Sequence, residues 1–141
     1  MKKKIILIII LVLILISIVF LFNHDKKIIT PNKNFSVLIA DTEQSRQLGL
    51  SNTNSLDKNS VKLFIFDKPD YYGFWMKDML YPIDIVFLDT NMQVISYIDN
   101  ADPASYPETF YPERPALYVI EMNTGERKIS GLDKNTKVYY K

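Results

Sequence analysis

The sequence contains no cysteine, and its 141 residues include a single histidine, His24. The missing thiols exclude disulfides, thiol catalysis, zinc–thiolate sites and lipid attachment through cysteine. His24 lies close to the N-terminus, outside the part of the chain that we expect to fold. Catalysis would therefore have to use carboxylates, amines, guanidinium groups, phenols or hydroxyls, and a metal would have to be a hard cation held by oxygen atoms. No motif for such a site is present, so we expect no metal and no cofactor.

A large excess of positive charge is also missing, since the net charge is only +1. Residues 1–34 carry six lysines against one aspartate, whereas residues 35–141 carry eleven lysines and arginines against fifteen aspartates and glutamates. Proteins bind nucleic acids largely by neutralising phosphates with Lys and Arg. Because the second part has a balance of −4, we do not expect nucleic acid as a partner.

The N-terminus has the pattern of a membrane anchor. Residues 2–4 are lysines, and residues 5–22 are apolar except for Ser17. At about 1.5 Å per residue, these eighteen residues nearly cross a hydrocarbon core of roughly 30 Å. Residues 23–26 do not provide the small residues of a signal-peptide cleavage site. We therefore predict an uncleaved single-pass anchor in the cell membrane, with a cytoplasmic N-terminus and an extracytoplasmic domain.

The predicted organisation has three parts: a cytoplasmic tip with the anchor in 1–22, a polar linker in 23–34, and one globular domain in 35–141. The domain is long enough for one hydrophobic core. Apolar periodicity and turn residues predict an α+β fold that is mainly antiparallel β. We expect a compact barrel-like or sandwich sheet of about six or seven strands. The predicted strands are 35–40, 61–66, 73–77, 82–88, 93–99, 115–122 and 136–140, and the two short helices are 42–48 and 126–130.

The stretch 73–89 is the most distinctive part of the chain. It combines the single tryptophan with two phenylalanines, a lysine and three aspartates, and it predicts two strands joined by a short turn. The second of these strands is almost continuously apolar and β-branched, which is typical of a strand covered on both faces. Asp84 interrupts this apolar run, and a buried carboxylate needs hydrogen-bond donors or a cation.

Three motifs resemble the DUF192 family, domain of unknown function 192. They are Ala40-Asp41-Thr42 with Arg46 and Gly49-Leu50; Phe74-Trp75-Met76-Lys77 with Pro82-Ile83-Asp84-Ile85; and Tyr118-Val119-Ile120-Glu121. The resemblance covers nearly the whole predicted domain. It implies a compact β-rich domain with a shared surface site, and it implies no particular reaction.

Six residues are candidates for that site, each with a structural alternative. Phe74 and Trp75 are suited to stacking on a flat ligand or to core packing, and we expect one to face the core and the other the surface. Asp84 is suited to acid–base chemistry, to binding a cation, or to a purely structural role in which it pairs with Arg46 or with backbone N–H groups. The full set of candidate ligand-binding residues is Arg46, Phe74, Trp75, Lys77, Asp84 and Glu121.

Two functions remain open from the sequence. The first is a non-catalytic module that binds a small molecule or an envelope component in an aromatic and acidic cleft, with Asp84, Lys77 and Arg46 as its polar contacts. The second is a small carboxylate-based or metal-assisted hydrolase that uses Asp84. The sequence contains no Ser-His pair, P-loop or HExxH pattern, so we favour the binding module.

Overall fold

The computed structural model describes residues 26–141. Within this range the chain forms nine strands and two short α-helices. The strands are β1 (Lys27–Ile29), β2 (Asn34–Ala40), β3 (Ser60–Asp70), β4 (Phe74–Trp75), β5 (Ile83–Leu88), β6 (Val94–Ala101), β7 (Thr109–Phe110), β8 (Ala116–Asn123) and β9 (Tyr139–Tyr140). The helices are α1 (Glu43–Leu48) and α2 (Glu126–Ser130).

Seven strands form one curled sheet that resembles half of a barrel, in the order β6-β5-β8-β3-β2-β1-β9. All neighbouring pairs are antiparallel except β2 and β3, which run parallel. Helix α1 lies between β2 and β3 in the chain, and a parallel pair needs such a crossover connection. The predicted number of strands and the two short helices are confirmed, and the sheet is mixed rather than purely antiparallel.

Helix α1 is fixed at both ends by its sequence. The Thr42 hydroxyl accepts a hydrogen bond from the backbone N–H of Ser45, and the Ser45 hydroxyl accepts one from the backbone N–H of Thr42. This reciprocal pair is a capping box, which pairs N–H groups that the first helical turn leaves free. Gly49 ends the helix at φ 51° and ψ −128°, a backbone conformation that strongly favours glycine.

The sheet buries apolar side chains on both faces. Strand β5 lies between β6 and β8, and all six of its residues are buried. On one face, here called the cleft face, Ile85 and Phe87 join the cluster around Phe64 and Phe74. On the other, the far face, Val86 and Leu88 join the cluster around Leu63 and Ile120. This two-sided burial confirms the prediction made for the apolar run 82–88.

The two halves of the stretch 73–89 lie in different sheets. Strand β4 pairs with β7 in a separate two-stranded ribbon, whereas β5 pairs with β6 and β8 in the large sheet. Gly73 allows the ribbon to close, because a Cβ atom there would lie 2.6 Å from Thr109 and 2.8 Å from the Tyr111 ring. None of the predicted strands lies between residues 99 and 115, so β7 was missed. The predicted strand 61–66 is also too short, since β3 continues to Asp70.

The folded domain begins earlier than residue 35. Strand β1 pairs with both β2 and β9, and Ile28 is completely buried. Residues 30–33 form the turn between β1 and β2, in which the Thr30 N–H donates to the Lys33 carbonyl over 3.0 Å. The polar, proline-containing composition that predicted a linker over 23–34 thus belongs largely to a hairpin turn.

The predicted anchor, residues 5–22, lies outside the described residues. Neither of the helices in residues 26–141 has the length and apolar character needed to cross a membrane.

Candidate functional site

A cleft of about 250 Å³ lies on the cleft face. One wall is α1 with the turn that follows it, and the other is the segment that leads into β4. Strands β3 and β8 provide the floor through Phe64 and Glu121. Four of the six predicted site residues line this cleft, namely Arg46, Phe74, Trp75 and Glu121.

Five aromatic rings line the cleft. Phe74 is buried and packs edge-to-face against Phe64, with ring centroids 4.9 Å apart. Phe66 and Tyr72 stack with centroids 3.5 Å apart. Trp75 is 51% exposed at the mouth of the cleft, whereas Phe74 faces the core. The prediction that these two neighbours point in opposite directions is confirmed, and Trp75 offers an exposed ring for stacking.

Glu121 is the unusual polar group of the cleft. Its side chain is 95% buried, and among residues 26–141 its Oε2 atom has no hydrogen-bond partner. Burial raises the pKa of the Glu121 carboxyl from 4.5 to about 8, because an ionised carboxylate is poorly solvated there, while the positive charge of Lys62 partly offsets this. At neutral pH the carboxyl therefore carries its proton and can donate a hydrogen bond.

Gly49 leaves space beside Glu121. A Cβ atom at position 49 would lie 3.5 Å from the Phe64 ring and 3.8 Å from Oε2 of Glu121, both van der Waals contact distances. Oε2 is itself almost wholly enclosed, so a side chain at position 49 would add to the cover over this end of the carboxyl.

Arg46 is fixed by hydrogen bonds from one of its three guanidinium nitrogens. Its Nη1 donates to the carbonyl oxygens of Asp41 at 2.7 Å and Ile65 at 2.8 Å. The guanidinium carbon lies 5.2 Å from the centroid of the Phe66 ring, within the range of a cation–π contact. No hydrogen bond or ion pair among the described residues uses its Nε or Nη2. Arg46 therefore presents an ordered edge with free donors at the cleft.

The structure places Lys77 outside the cleft. Its side chain is exposed, and its backbone carbonyl accepts a hydrogen bond from the Ser51 hydroxyl over 2.9 Å. Residue 77 thus contributes to the turn after β4 and does not line the site.

Asp84 lies on the opposite face of the sheet. It is 1% exposed and pairs in the ladder with Met122 of the far-face cluster, whereas Glu121 pairs with Ile85 of the cleft-face cluster. The sequence predicted one cleft with Asp84, Lys77 and Arg46 as its polar contacts. This prediction is wrong, because only Arg46 of the three lines the cleft. Side chains alternate between faces along each strand, and the register decides which residues share a face.

Backbone N–H groups satisfy Asp84, as its structural alternative predicted. Oδ1 accepts from Asn100 over 2.9 Å and Oδ2 accepts from Arg127 over 3.1 Å. Arg127 is itself buried, forms ion pairs with Asp99 and Asp133, and lies 3.7 Å from the Tyr97 ring. The hydrogen bonds from Arg127 hold the pKa of Asp99 below its ordinary value. This network ties α2 and the segment that follows it to β5 and β6.

Sequence reasoning missed several cleft residues. Gly49 was not among the six candidates, although its place in the first family motif, beside Leu50, was a usable signal. Phe66 and Tyr72 carried no signal beyond being aromatic, because their stacking depends on the irregular end of β3. Among residues 26–141 no group of three acidic or histidine side chains is arranged to hold a metal ion.

The fold has relatives among solved crystal structures. A protein of unknown function from Novosphingobium aromaticivorans DSM 12444 is 25% identical, with a TM-score of 0.74 over 81% of this chain and 82% of that chain. A protein from Sinorhizobium meliloti 1021, described as a candidate transcription regulator, is 24% identical, with a TM-score of 0.75 over 82% of this chain and 91% of that chain. The second likeness shows the fold alone.

A search of curated protein sequences found no match. The sequence profile of DUF192, described as "Uncharacterized ACR", matches residues 23–140, which include every strand and helix described above. The resemblance seen in the three sequence motifs is thereby confirmed, and the chain belongs to the DUF192 family.

Proposed function

We propose that this domain is a non-catalytic ligand-binding module and that its binding site is the cleft lined by Arg46, Trp75 and Glu121. The observation that carries the proposal is the unpaired Oε2 atom of Glu121. Buried polar atoms in folded proteins almost always have a hydrogen-bond partner. A ligand bound in the cleft would supply the hydrogen-bond partner that this buried oxygen lacks.

The size and lining of the cleft fit this role. A volume of about 250 Å³ is close to the lower end of small-molecule sites, which hold roughly 300–1,000 Å³. Such sites combine mostly apolar walls with a few fixed polar groups. Here the rings of Phe66, Tyr72 and Trp75 supply the walls, and Arg46 and Glu121 supply the polar groups. The ligand is therefore a small molecule, or one ring-sized group of a larger envelope component.

The alternative, a hydrolase built on Asp84, is less well supported, although Asp84 lines a separate concavity of about 110 Å³ together with Asp99 and Lys128. Both carboxylate oxygens of Asp84 accept backbone hydrogen bonds, and the side chain is buried in the far face. A general acid or base must reach the reacting group, directly or through one water. Asp84 is therefore a structural residue in this proposal.

The membrane anchor remains part of the proposal. If residues 5–22 span the bilayer with the N-terminus in the cytoplasm, residues 23–26 alone separate the span from β1. Four extended residues reach at most roughly 14 Å, so the domain would lie close to the extracytoplasmic surface of the membrane. The acidic balance of residues 35–141 continues to argue against nucleic acid as a partner. Cell fractionation with added protease tests this topology, and a soluble mature form that begins near residue 23 would contradict it.

Trp75 provides a direct test of binding, because it is the single tryptophan and lies at the mouth of the cleft. The domain is titrated with neutral sugars, short peptides, divalent cations and small aromatic anions and cations while the tryptophan emission is recorded. At least one class is expected to change the emission. Arg46→Ala should weaken that response roughly tenfold or more, the effect of losing a charged hydrogen bond of about 1.5–3 kcal/mol.

Two variants serve as matched controls. Lys77→Ala removes a neighbouring positive charge outside the cleft, and Asp84→Asn alters the carboxyl on the far face. Both should keep the response of the wild type. If Asp84→Asn loses the change in tryptophan emission and Arg46→Ala keeps it, the ligand binds on the far face, which would contradict the proposal.

A further inference from the structure

The two polar groups of the cleft restrict the chemistry of its ligand. Arg46 offers the free Nε and Nη2 edge of a guanidinium that is fixed by two backbone carbonyls and by the Phe66 ring. This planar edge matches the two oxygens of a carboxylate. Glu121 offers one further oxygen in a buried position, without a partner among the described residues.

We propose that the cleft binds a small planar monoanion of the aromatic-carboxylate type, with Arg46 as the charged partner and the unpaired Glu121 carboxyl as a hydrogen-bonding partner. This inference rests on the proposed function and adds the ligand class. The flat body of such a ligand would lie among the aromatic rings, and its carboxylate would pair with the free edge of Arg46.

The protonation of Glu121 decides between an anionic and a cationic ligand. With burial raising the pKa of this carboxyl to about 8, the group is neutral at pH 7 and donates rather than repels. The charged and titratable groups around it are Lys62 on β3, Tyr81 before β5, and Arg46 and Glu43 on α1. Arg46 and Lys62 are both positive, so a ligand cation would meet like charge, whereas an anion would meet opposite charge.

A single guanidinium also favours a monoanion over a phosphate dianion. Among the described residues that line the cleft, Arg46 is the one with a positive charge, and Glu43 at the rim is negative. A second negative charge on the ligand would have no cationic partner in a mostly apolar site, and unpaired charge is costly to desolvate. A carboxylate needs one positive charge and a few donors, which Arg46 and Glu121 together supply.

The test compares four probes that share one ring: benzoate, phenyl phosphate, benzyl alcohol and benzyltrimethylammonium. Calorimetric titration of the folded domain, at pH values from 6 to about 9.5, measures each Kd. Benzoate is expected to bind most tightly, and its Kd should rise by about tenfold per pH unit above about 8 as Glu121 loses its proton. Benzoate and arginine keep their charges throughout this range.

Two substitutions at one position separate donation from charge. Glu121→Gln keeps a donor and has no proton to lose, so it should retain benzoate binding and remove its pH dependence. Glu121→Leu removes the donor and should weaken binding roughly tenfold or more at pH 7. Circular dichroism establishes that both variants are folded before titration.

The outcomes distinguish this inference from the proposed function. Tighter binding of benzyltrimethylammonium, with affinity that grows as the pH rises, would overturn the inference and leave the cleft as a binding site. Preference for phenyl phosphate or for benzyl alcohol would overturn it in the same way. If no probe of any class binds the cleft, both the inference and the proposed function fail.

Discussion

Asp84 and Glu121 are two buried carboxyl groups on neighbouring strands of the same sheet. In the ladder between β5 and β8, Asp84 stands opposite Met122 and Glu121 stands opposite Ile85, so the two acids are one step apart along the strands and on opposite faces. Asp84 receives two backbone N–H donors, whereas Oε2 of Glu121 receives none from the described residues.

The comparison shows that burial alone does not reveal the role of a carboxyl group. A satisfied carboxylate stabilises the structure around it, because its charge is paired with fixed donors. An unsatisfied one costs stability and stays protonated, and its free oxygen is available to a ligand. The number of partners therefore separates the structural acid from the candidate binding residue.

The largest expected effect concerns the pH dependence of stability. The folded chain holds the Glu121 proton up to about pH 8, while the unfolded chain releases it near 4.5. The unfolded state thus binds fewer protons within this window, so the free energy of unfolding falls as the pH rises through it. At about 1.4 kcal/mol per pH unit, the loss is on the order of 5 kcal/mol.

Glu121→Gln should remove this loss, because glutamine does not titrate. Urea denaturation at several pH values measures the free energy of unfolding for both proteins. The variant should match the wild type near pH 4 and exceed it above pH 8. Parallel stability curves for the two proteins would show that Glu121 is not the buried titrating group.

A smaller effect is expected at the other carboxyl. Asp84→Ala leaves the N–H groups of Asn100 and Arg127 without their acceptor inside the protein. We expect a loss of about 2–4 kcal/mol in the free energy of unfolding. Asp84→Asn keeps one acceptor oxygen and should cost less. An Asp84→Ala domain that melts at the temperature of the wild type would contradict the structural role.

The parts of the fold that the sequence predicted are those with a local signal. The apolar run 82–88 predicted a doubly covered strand, and the predicted helix 42–48 agrees with α1 to within one residue. The parts that it missed depend on distant partners. Strand β1 has three residues and is held by β2 and β9, from opposite ends of the domain. The β4 and β7 ribbon joins two residues to two others more than thirty positions away.

The sequence predicted four of the residues that line the cleft, but it did not predict that Asp84 and Lys77 lie outside it. Arg46, Phe74, Trp75 and Glu121 were selected as residue types suited to binding, and the fold brings them to one cleft. Asp84 was grouped with them because it shares a sequence motif with Trp75. The face on which Asp84 lies depends on the register between β5 and β8, and a shift of one residue would reverse it. No local pattern in the sequence determines that register.

The smallest expected effect tests whether Glu121 must be open to the cleft. Gly49→Ala places a side chain in the left-handed region at φ 51°, which should cost about 1–2 kcal/mol. Its methyl group would also lie against Oε2 of Glu121 and the Phe64 ring, and would obstruct the approach of a ligand. We therefore expect weaker binding of benzoate, measured by calorimetry, in a domain that remains folded.

Gly125→Ala is the control for a positive-φ glycine outside the cleft. Gly125 has φ 83° and ψ −17°, and a Cβ atom there would have no neighbour within 4 Å. This variant should lose some stability through backbone strain and bind benzoate as the wild type does. If both variants lose binding equally, the loss follows from strain. If neither variant loses binding, ligand binding does not require a residue without a side chain at position 49.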